Sequence, residues 1–240
     1  MSLRLSSSMA RVLRKRFDSV LVADSTYATS KPLDRRLKNG EAAILVLLKW
    51  ENDQWHTFFT VRSTELRLNA GESSFPGGHR EIGDRSAIAT ALRECYEEVG
   101  LEEKNVEVVG TFRPLISGHQ LLLHAVLALQ KDDWTPRLNT TEVQRCYWMP
   151  MSVFNSNENY LGPFDVMGIL MHRFKYEDEQ IAGLTANLAV MISMLLHQRL
   201  PPFKLSVQSL SNNLSIEQIA QRQFDETFQL LKLFDKKSKM

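Results

Sequence analysis

Gly71-Glu72-Ser73-Ser74-Phe75-Pro76-Gly77-Gly78-His79-Arg80-Glu81-Ile82-Gly83-Asp84 is a run of turn formers that leads into Arg85 to Leu101, where the texture changes to helical. Ile88, Ala91, Leu92, Cys95 and Val99 recur at steps of three and four residues and form one apolar stripe. Gly100 then stops the predicted helix, which runs over about 85–99. Beside the stripe, Glu94, Glu97 and Glu98 crowd one face at i, i+3 and i+4. Like charges at that spacing repel, so the face invites a cation, and ligands offering only oxygen suit a hard ion such as Mg²⁺. The plainer reading is a solvated acidic face with Arg93 bridging to Glu97. Against it stands Phe75-Pro76-Gly77-Gly78, which brings bare backbone to the place where the acidic face begins; such backbone approaches a phosphate closely or lends a carbonyl to a metal.

Working outward, Ala42 to Leu48 is a buried strand, Glu51-Asn52-Asp53 a turn, and Trp55 to Arg62 the returning strand, so a hairpin delivers Arg62 into the loop before the glycines. Arg62 and Arg67 offer planar forks suited to phosphate, unless they pair with Glu65 or Glu72. Downstream, Val106 to Phe112 and Gln120 to Leu129 read as strands; His119 and His124 flank the second, neither with a companion at metal spacing. Glu142 reads first as a loop-surface acid. Asn155 to Pro163 reads as a polar loop, Met171 to Tyr176 as a strand, and Gly183 to about Arg199 as a helix with an apolar face of Leu188, Met191, Ile192, Leu195 and Leu196. Ser215 with Gln218 begins a last helix through a capping box.

The 240 residues, 43% hydrophobic and 24% charged, are long enough for one sizeable domain with additions. A formal net charge of +1 gives no global attraction to nucleic acid or acidic membrane, so a phosphate-bearing partner needs a local site. Of the two cysteines, Cys95 falls on the apolar stripe and reads as a small buried hydrophobe, which argues against a disulfide framework and favours a reducing compartment. No apolar run reaches membrane-spanning length, so a soluble chain is expected. The start is basic and acid-poor, with Arg4, Arg11, Arg14, Lys15 and Arg16; that composition is like a mitochondrial transit peptide, and a helix with a solvated basic face is the simpler reading. Ser30 to Pro32 reads as a linker. The expected divisions are a basic extension over 1–40, a central domain over 41–200, and a C-terminal helix and tail over 201–240.

Loop and helix together resemble the Nudix hydrolase signature, whose second part, Arg-Glu-apolar-any-Glu-Glu-any-Gly-apolar, is matched by Arg93 to Leu101. The first part departs: Asp84 stands where a Glu is usual, and eight residues rather than seven separate it from Arg93. That longer version, with the upstream element Arg62-Ser63, Leu66-Arg67 and Gly71-Glu72 before Phe75 to Gly78, resembles the coenzyme A diphosphatase branch. The resemblance implies an α/β fold, an α/β/α sandwich with a mixed sheet between helices. It implies cleavage of the diphosphate of coenzyme A and acyl-CoA to 3′,5′-ADP and 4′-phosphopantetheine or its acyl form. It implies Mg²⁺ or Mn²⁺ on Glu94, Glu97 and Glu98 with the Gly77 carbonyl, Arg93 fixing the glutamates, Arg62, Arg67 and Gly78 at the substrate, and a fourth acid at Glu142. Action on NADH or another nucleoside diphosphate derivative, and a non-catalytic nucleotide-binding module, are the alternatives. Ser238-Lys239-Met240 differs from a peroxisomal address by one similar apolar side chain, which implies an import receptor as partner and the peroxisome as location.

Overall fold

The computed structural model describes residues 3–22, 40–65, 70–116, 121–166, 169–205 and 214–225. Arg67, His119, the expected linker and the C-terminal tripeptide lie outside them. In chain order the elements are α1 (Leu3–Phe17), β1 (Leu21–Val22), β2 (Glu41–Glu51), β3 (Gln54–Arg62), β4 (Ser73–Ser74), β5 (Gly77–His79), α2 (Ala87–Val99), β6 (Val106–Phe112), β7 (Leu115–Ile116), β8 (Leu122–Gln130), β9 (Val143–Pro150), β10 (Tyr160–Val166), β11 (Ile169–Tyr176), β12 (Glu179–Ala182), α3 (Gly183–His197) and a helix over 216–225, α4.

The unbroken apolar run of β2 is explained by burial on both faces. Ala43, Leu45 and Leu47 pack toward α2 with Ala91, Cys95 and Val99, whereas Val46 and Leu48 pack toward α1 and α3. Helices therefore cover both faces of one mixed sheet, an α/β/α sandwich. Its main strand order is β1-β6-β8-β2-β3-β4; β2 and β8 run parallel from Glu41↔Leu122 to Leu48↔Leu129, and the other pairs are antiparallel. The β2–β3 hairpin turns on Asn52 and Asp53, both left-handed, as a two-residue turn matched to strand twist requires. The two strands pair only over Leu48–Glu51 and Gln54–Thr57 and then part. Into that opening runs the segment after the hairpin: β4 pairs with β3 at Thr60 and Val61, and β5 pairs with β2 at Ala42 to Ile44.

Three findings differ from expectation. Part of the expected polar loop is β10, the edge of a small β10-β11-β12 sheet; its alternation of half-buried and exposed positions is carried by a Gly-Pro pair and an Asp, residues that read as turn formers. The third helix is buried all round rather than on one face, with Val190 and Met194 inside as well, because β11, β12, α1 and the turn Met151–Asn155 enclose it. At the N-terminus, α1 buries Ala10, Leu13 and Phe17 in the core. Nor is its basic face simply solvated: Arg14 donates to the carbonyls of Val109 (3.0 Å) and Val108 (2.6 Å), and Arg16 to that of Leu196 (2.8 Å). The capping box of α4 is present, with Ser215 and Gln218 exchanging hydrogen bonds at 2.9 and 3.2 Å.

Candidate active site

α2 is the element that aims the acids. Ser86 caps its start, accepting from the Ala89 amide at 3.3 Å, and left-handed Gly100 ends it with a bond to the Tyr96 carbonyl at 2.8 Å. With the apolar stripe turned to the sheet, Glu98 is buried at 4% exposure, Glu94 is half-buried and Glu97 lies on the rim.

Arg93 organises the cluster. Its guanidinium donates to Asp84 (3.0 Å), Glu94 (2.9 Å), Glu97 (3.0 Å) and the His79 carbonyl (2.8 Å). Asp84 is itself buried and accepts from the Glu81 amide and the Thr90 hydroxyl, both at 2.9 Å. Burial pushes its carboxyl upward, but Arg93 and these donors outweigh it and hold the group below the usual carboxylate range. The acid whose role the sequence leaves doubtful is thus the anchor of the arginine.

The glycine pair is required by close approach. A Cβ on Gly78 would lie 2.5 Å from the Glu94 carboxylate, and one on Gly77, whose φ is +149°, would lie 2.3 Å from the Ala43 carbonyl oxygen. The Gly77 amide donates to Glu98 at 3.3 Å, and the Pro76 carbonyl accepts from Leu45 at 2.8 Å.

Two further groups reach the same place. Arg62 ends β3 on the α2 side, and its charge partly offsets the buried Glu98. Glu142 is exposed, yet its charge reaches both Glu94 and Glu98 and raises each. It is carried by a loop that is tied to the last turn of α2 through Arg137 to the Val99 carbonyl (2.9 Å) and Asn139 to the Glu98 carbonyl (2.8 Å). Burial first, and then Glu94, push the Glu98 carboxyl up to about 8, while burial raises Glu94 against the pull of Arg93. Arg93 and Arg62 offset this negative charge in part, and the donors of the group are oxygens, so in chemistry it fits a hard divalent cation. Among the described residues no three acidic, His or Cys side chains stand together at metal spacing; Arg93 holds Glu94 and Glu97, and the Gly77 amide holds Glu98.

The NUDIX domain model matches residues 39–166. The peroxisomal coenzyme A diphosphatase NUDT7 of Mus musculus is 32% identical over 178 residues, 70% of this chain and 75% of that protein. The Arabidopsis thaliana protein named Nudix hydrolase 15, mitochondrial, is 31% identical over 75% of this chain and 66% of its own length. The peroxisomal coenzyme A diphosphatase ndx-8 of Caenorhabditis elegans is 29% identical over 77% of this chain and 79% of that protein. A family model spanning more than half of the chain, together with the signature helix α2, whose Arg93, Glu94, Glu97 and Glu98 meet on one face, identifies the chain as a member of the Nudix hydrolase family.

Proposed function

We propose that this protein hydrolyses the diphosphate of coenzyme A and acyl-CoA, giving 3′,5′-ADP and 4′-phosphopantetheine or its acyl form, with Mg²⁺ or Mn²⁺. The observation that carries the proposal is the convergence of the buried Glu98, Glu94 and Glu142 with Arg62 beside the bare Gly77-Gly78 backbone. The names of the mouse and worm relatives support the substrate, as does the element from Arg62 to Gly78.

Glu94, Glu97 and Glu98, with the Gly77 carbonyl, are the groups assigned to hold the cation, and Glu142 is a further candidate. When bound, a divalent cation neutralises charge on the diphosphate and polarises it toward attack. Arg93, fixed by Asp84, orients Glu94 and Glu97 and stays off the substrate. Arg62 is assigned to the phosphates, and Gly78, whose bare backbone lies against the Glu94 carboxylate, is assigned to the substrate beside it. A water oxygen attacks phosphorus and the bridging P–O bond breaks; a carboxylate of this group, assigned to Glu94, orients the water and takes its proton. Ser238-Lys239-Met240 is assigned as the address read by the peroxisomal import receptor, and a fluorescent fusion lacking it should stay outside peroxisomes.

Incubation of purified protein with coenzyme A and Mg²⁺, with products read by mass, tests the activity beside NADH and the Glu98→Gln variant. Release of 3′,5′-ADP that chelation or the substitution abolishes is the expected result. Turnover of NADH in preference, or tight coenzyme A binding without product, would overturn it.

A further inference from the structure

Outside the acidic cluster, one polar chain of side chains joins the two sheets at the strand that leads into the glycine pair. Ser73 is buried at the start of β4; its hydroxyl accepts from the Tyr147 phenol at 2.9 Å and donates to Glu179 Oε2 at 3.2 Å. Glu179, on β12, receives Arg145 Nε on its other oxygen. Burial first, and then the Glu179 charge, push the Tyr147 phenol upward, so it is the donor at the head of the chain. Tyr147 and Arg145 lie on β9.

Packing already buries this region, because Phe59 lies against both Phe75 and Tyr147. An ionised carboxylate adds nothing to such burial and is costly unless paired. What the polar chain supplies is direction, since hydrogen bonds to Ser73 fix the rotation and register of β4. Two groups of the proposed site are tied to the segment that carries β4. The Arg62 amide donates to the Glu72 carbonyl and the Arg62 carbonyl accepts from the Gly71 amide, both at 3.1 Å. At the other end the Gly77 amide meets Glu98 at 3.3 Å, a bond already near its limit.

We propose that Glu179, acting through Ser73 and backed by Tyr147 and Arg145, is a positioning residue for the Glu94–Glu98 site: it holds β4 so that Arg62 and the Gly77 amide stand where that site needs them. The inference rests on the metal-dependent reading of the site. Its test is the affinity of the full chain for Mn²⁺, measured by calorimetry without substrate, for the parent, Glu179→Gln, Tyr147→Phe and Glu107→Gln. In Glu179→Gln the Mn²⁺ Kd should rise about tenfold, the lower end of what outer partners of a metal cluster cost. Tyr147→Phe should move in the same direction by less, and where the parent hydrolyses coenzyme A both variants should raise KM. Glu107→Gln, which breaks only the Arg14 pair on the far side, should bind as the parent does. A purely structural role would lower binding stoichiometry with the folded fraction and leave Kd unchanged, and that result overturns the proposal. Should Glu179→Gln fail to fold, an unchanged Kd in Tyr147→Phe overturns it equally. A parent that binds Mn²⁺ but cleaves no diphosphate refutes the proposed activity and leaves the Kd comparison decisive. A parent that binds no Mn²⁺ refutes both.

Discussion

Adding one methyl group at Gly77 or at Gly78 should produce two different failures, because the new atom meets a different kind of neighbour at each. In Gly77→Ala the Cβ would fall 2.3 Å from the Ala43 carbonyl oxygen and 2.6 Å from Ile44 Cα, both backbone atoms of a central strand, at a φ of +149°. Neither can swing aside, so β5 must pull away from β2. Overpacking costs ~1–3 kcal/mol and a disfavoured backbone region a further ~1–3 kcal/mol. For a chain of this size a loss of ~3 kcal/mol lowers Tm by roughly 6–12 °C. In Gly78→Ala the atoms nearest the Cβ are those of the Glu94 carboxylate, at 2.5–2.7 Å, the far end of a flexible side chain. Glu94 can rotate away by about 1 Å, surrendering its 2.9 Å bond to Arg93 at a net cost of ~1 kcal/mol. Tm should then fall by only about 2–4 °C. Hydrolysis should nevertheless fall by about 100-fold, the cost of a misplaced group in a site that works by positioning. Thermal scans and initial rates on the two proteins, measured side by side, make the comparison. Parental activity in a folded Gly78→Ala, or an unshifted Tm in Gly77→Ala, would refute the reasoning.

Asp84→Asn keeps the shape of the anchor but removes the charge that holds Arg93; activity should drop at least about tenfold, with a Mn²⁺ affinity loss on the calorimeter. Because the Asp84 carboxyl sits below its ordinary value in the folded protein, its contribution to stability is complete above about pH 4 and is lost as pH falls through the folded value; denaturant midpoints of parent and variant should therefore converge in acid. Phe17→Ala tests α1 as part of the core: with Phe17 fully buried and edge-on to Phe112 at 5.9 Å, unfolding free energy should fall by ~3–5 kcal/mol, and a smaller loss than ~1 kcal/mol would mean that α1 is dispensable. His172 is fully buried, with Nδ1 against the Tyr160 hydroxyl at 3.0 Å, and burial lowers it from 6.5 to about 4. The unfolded chain therefore takes up a proton between about pH 6.5 and 4 that the folded chain refuses. Between about pH 7 and pH 4.5 the parent should lose ~2 kcal/mol more stability than His172→Gln, read from urea midpoints.

What could be read in the sequence was whatever depended on periodicity and local chemistry. The helix over Ala87–Val99, its Gly100 stop, the hairpin turning at Asn52-Asp53 and the box at Ser215 all follow from residues within a turn or two of one another. Hidden from it was whatever depended on what packs outside. The third helix shows one apolar face in sequence because Asn187 and Ser193 interrupt the rest, yet both are buried and satisfied, by the Leu170 and Met151 carbonyls at 3.0 and 2.6 Å. Likewise α1 looks like a basic extension, since nothing local announces that Arg14 and Arg16 will find carbonyls 94 and 180 residues away.

Asp84 shows the limit most clearly, because the departure from the family pattern is real and the acid is nevertheless bonded to Arg93. A carboxylate one methylene shorter than Glu cannot reach as far, but it stands on a turn one residue longer, and the Glu81 amide and Thr90 hydroxyl fix it where Arg93 can grip both oxygens. Spacing along the chain therefore does not reveal that Asp84 reaches Arg93. The quantity that Arg93 senses is where the charge lies, and turn length and side-chain length are interchangeable ways of setting it. By the same argument the charge of Glu142, remote in sequence and exposed, reaches Glu94 and Glu98, because the loop that carries it is hydrogen-bonded to the end of their helix.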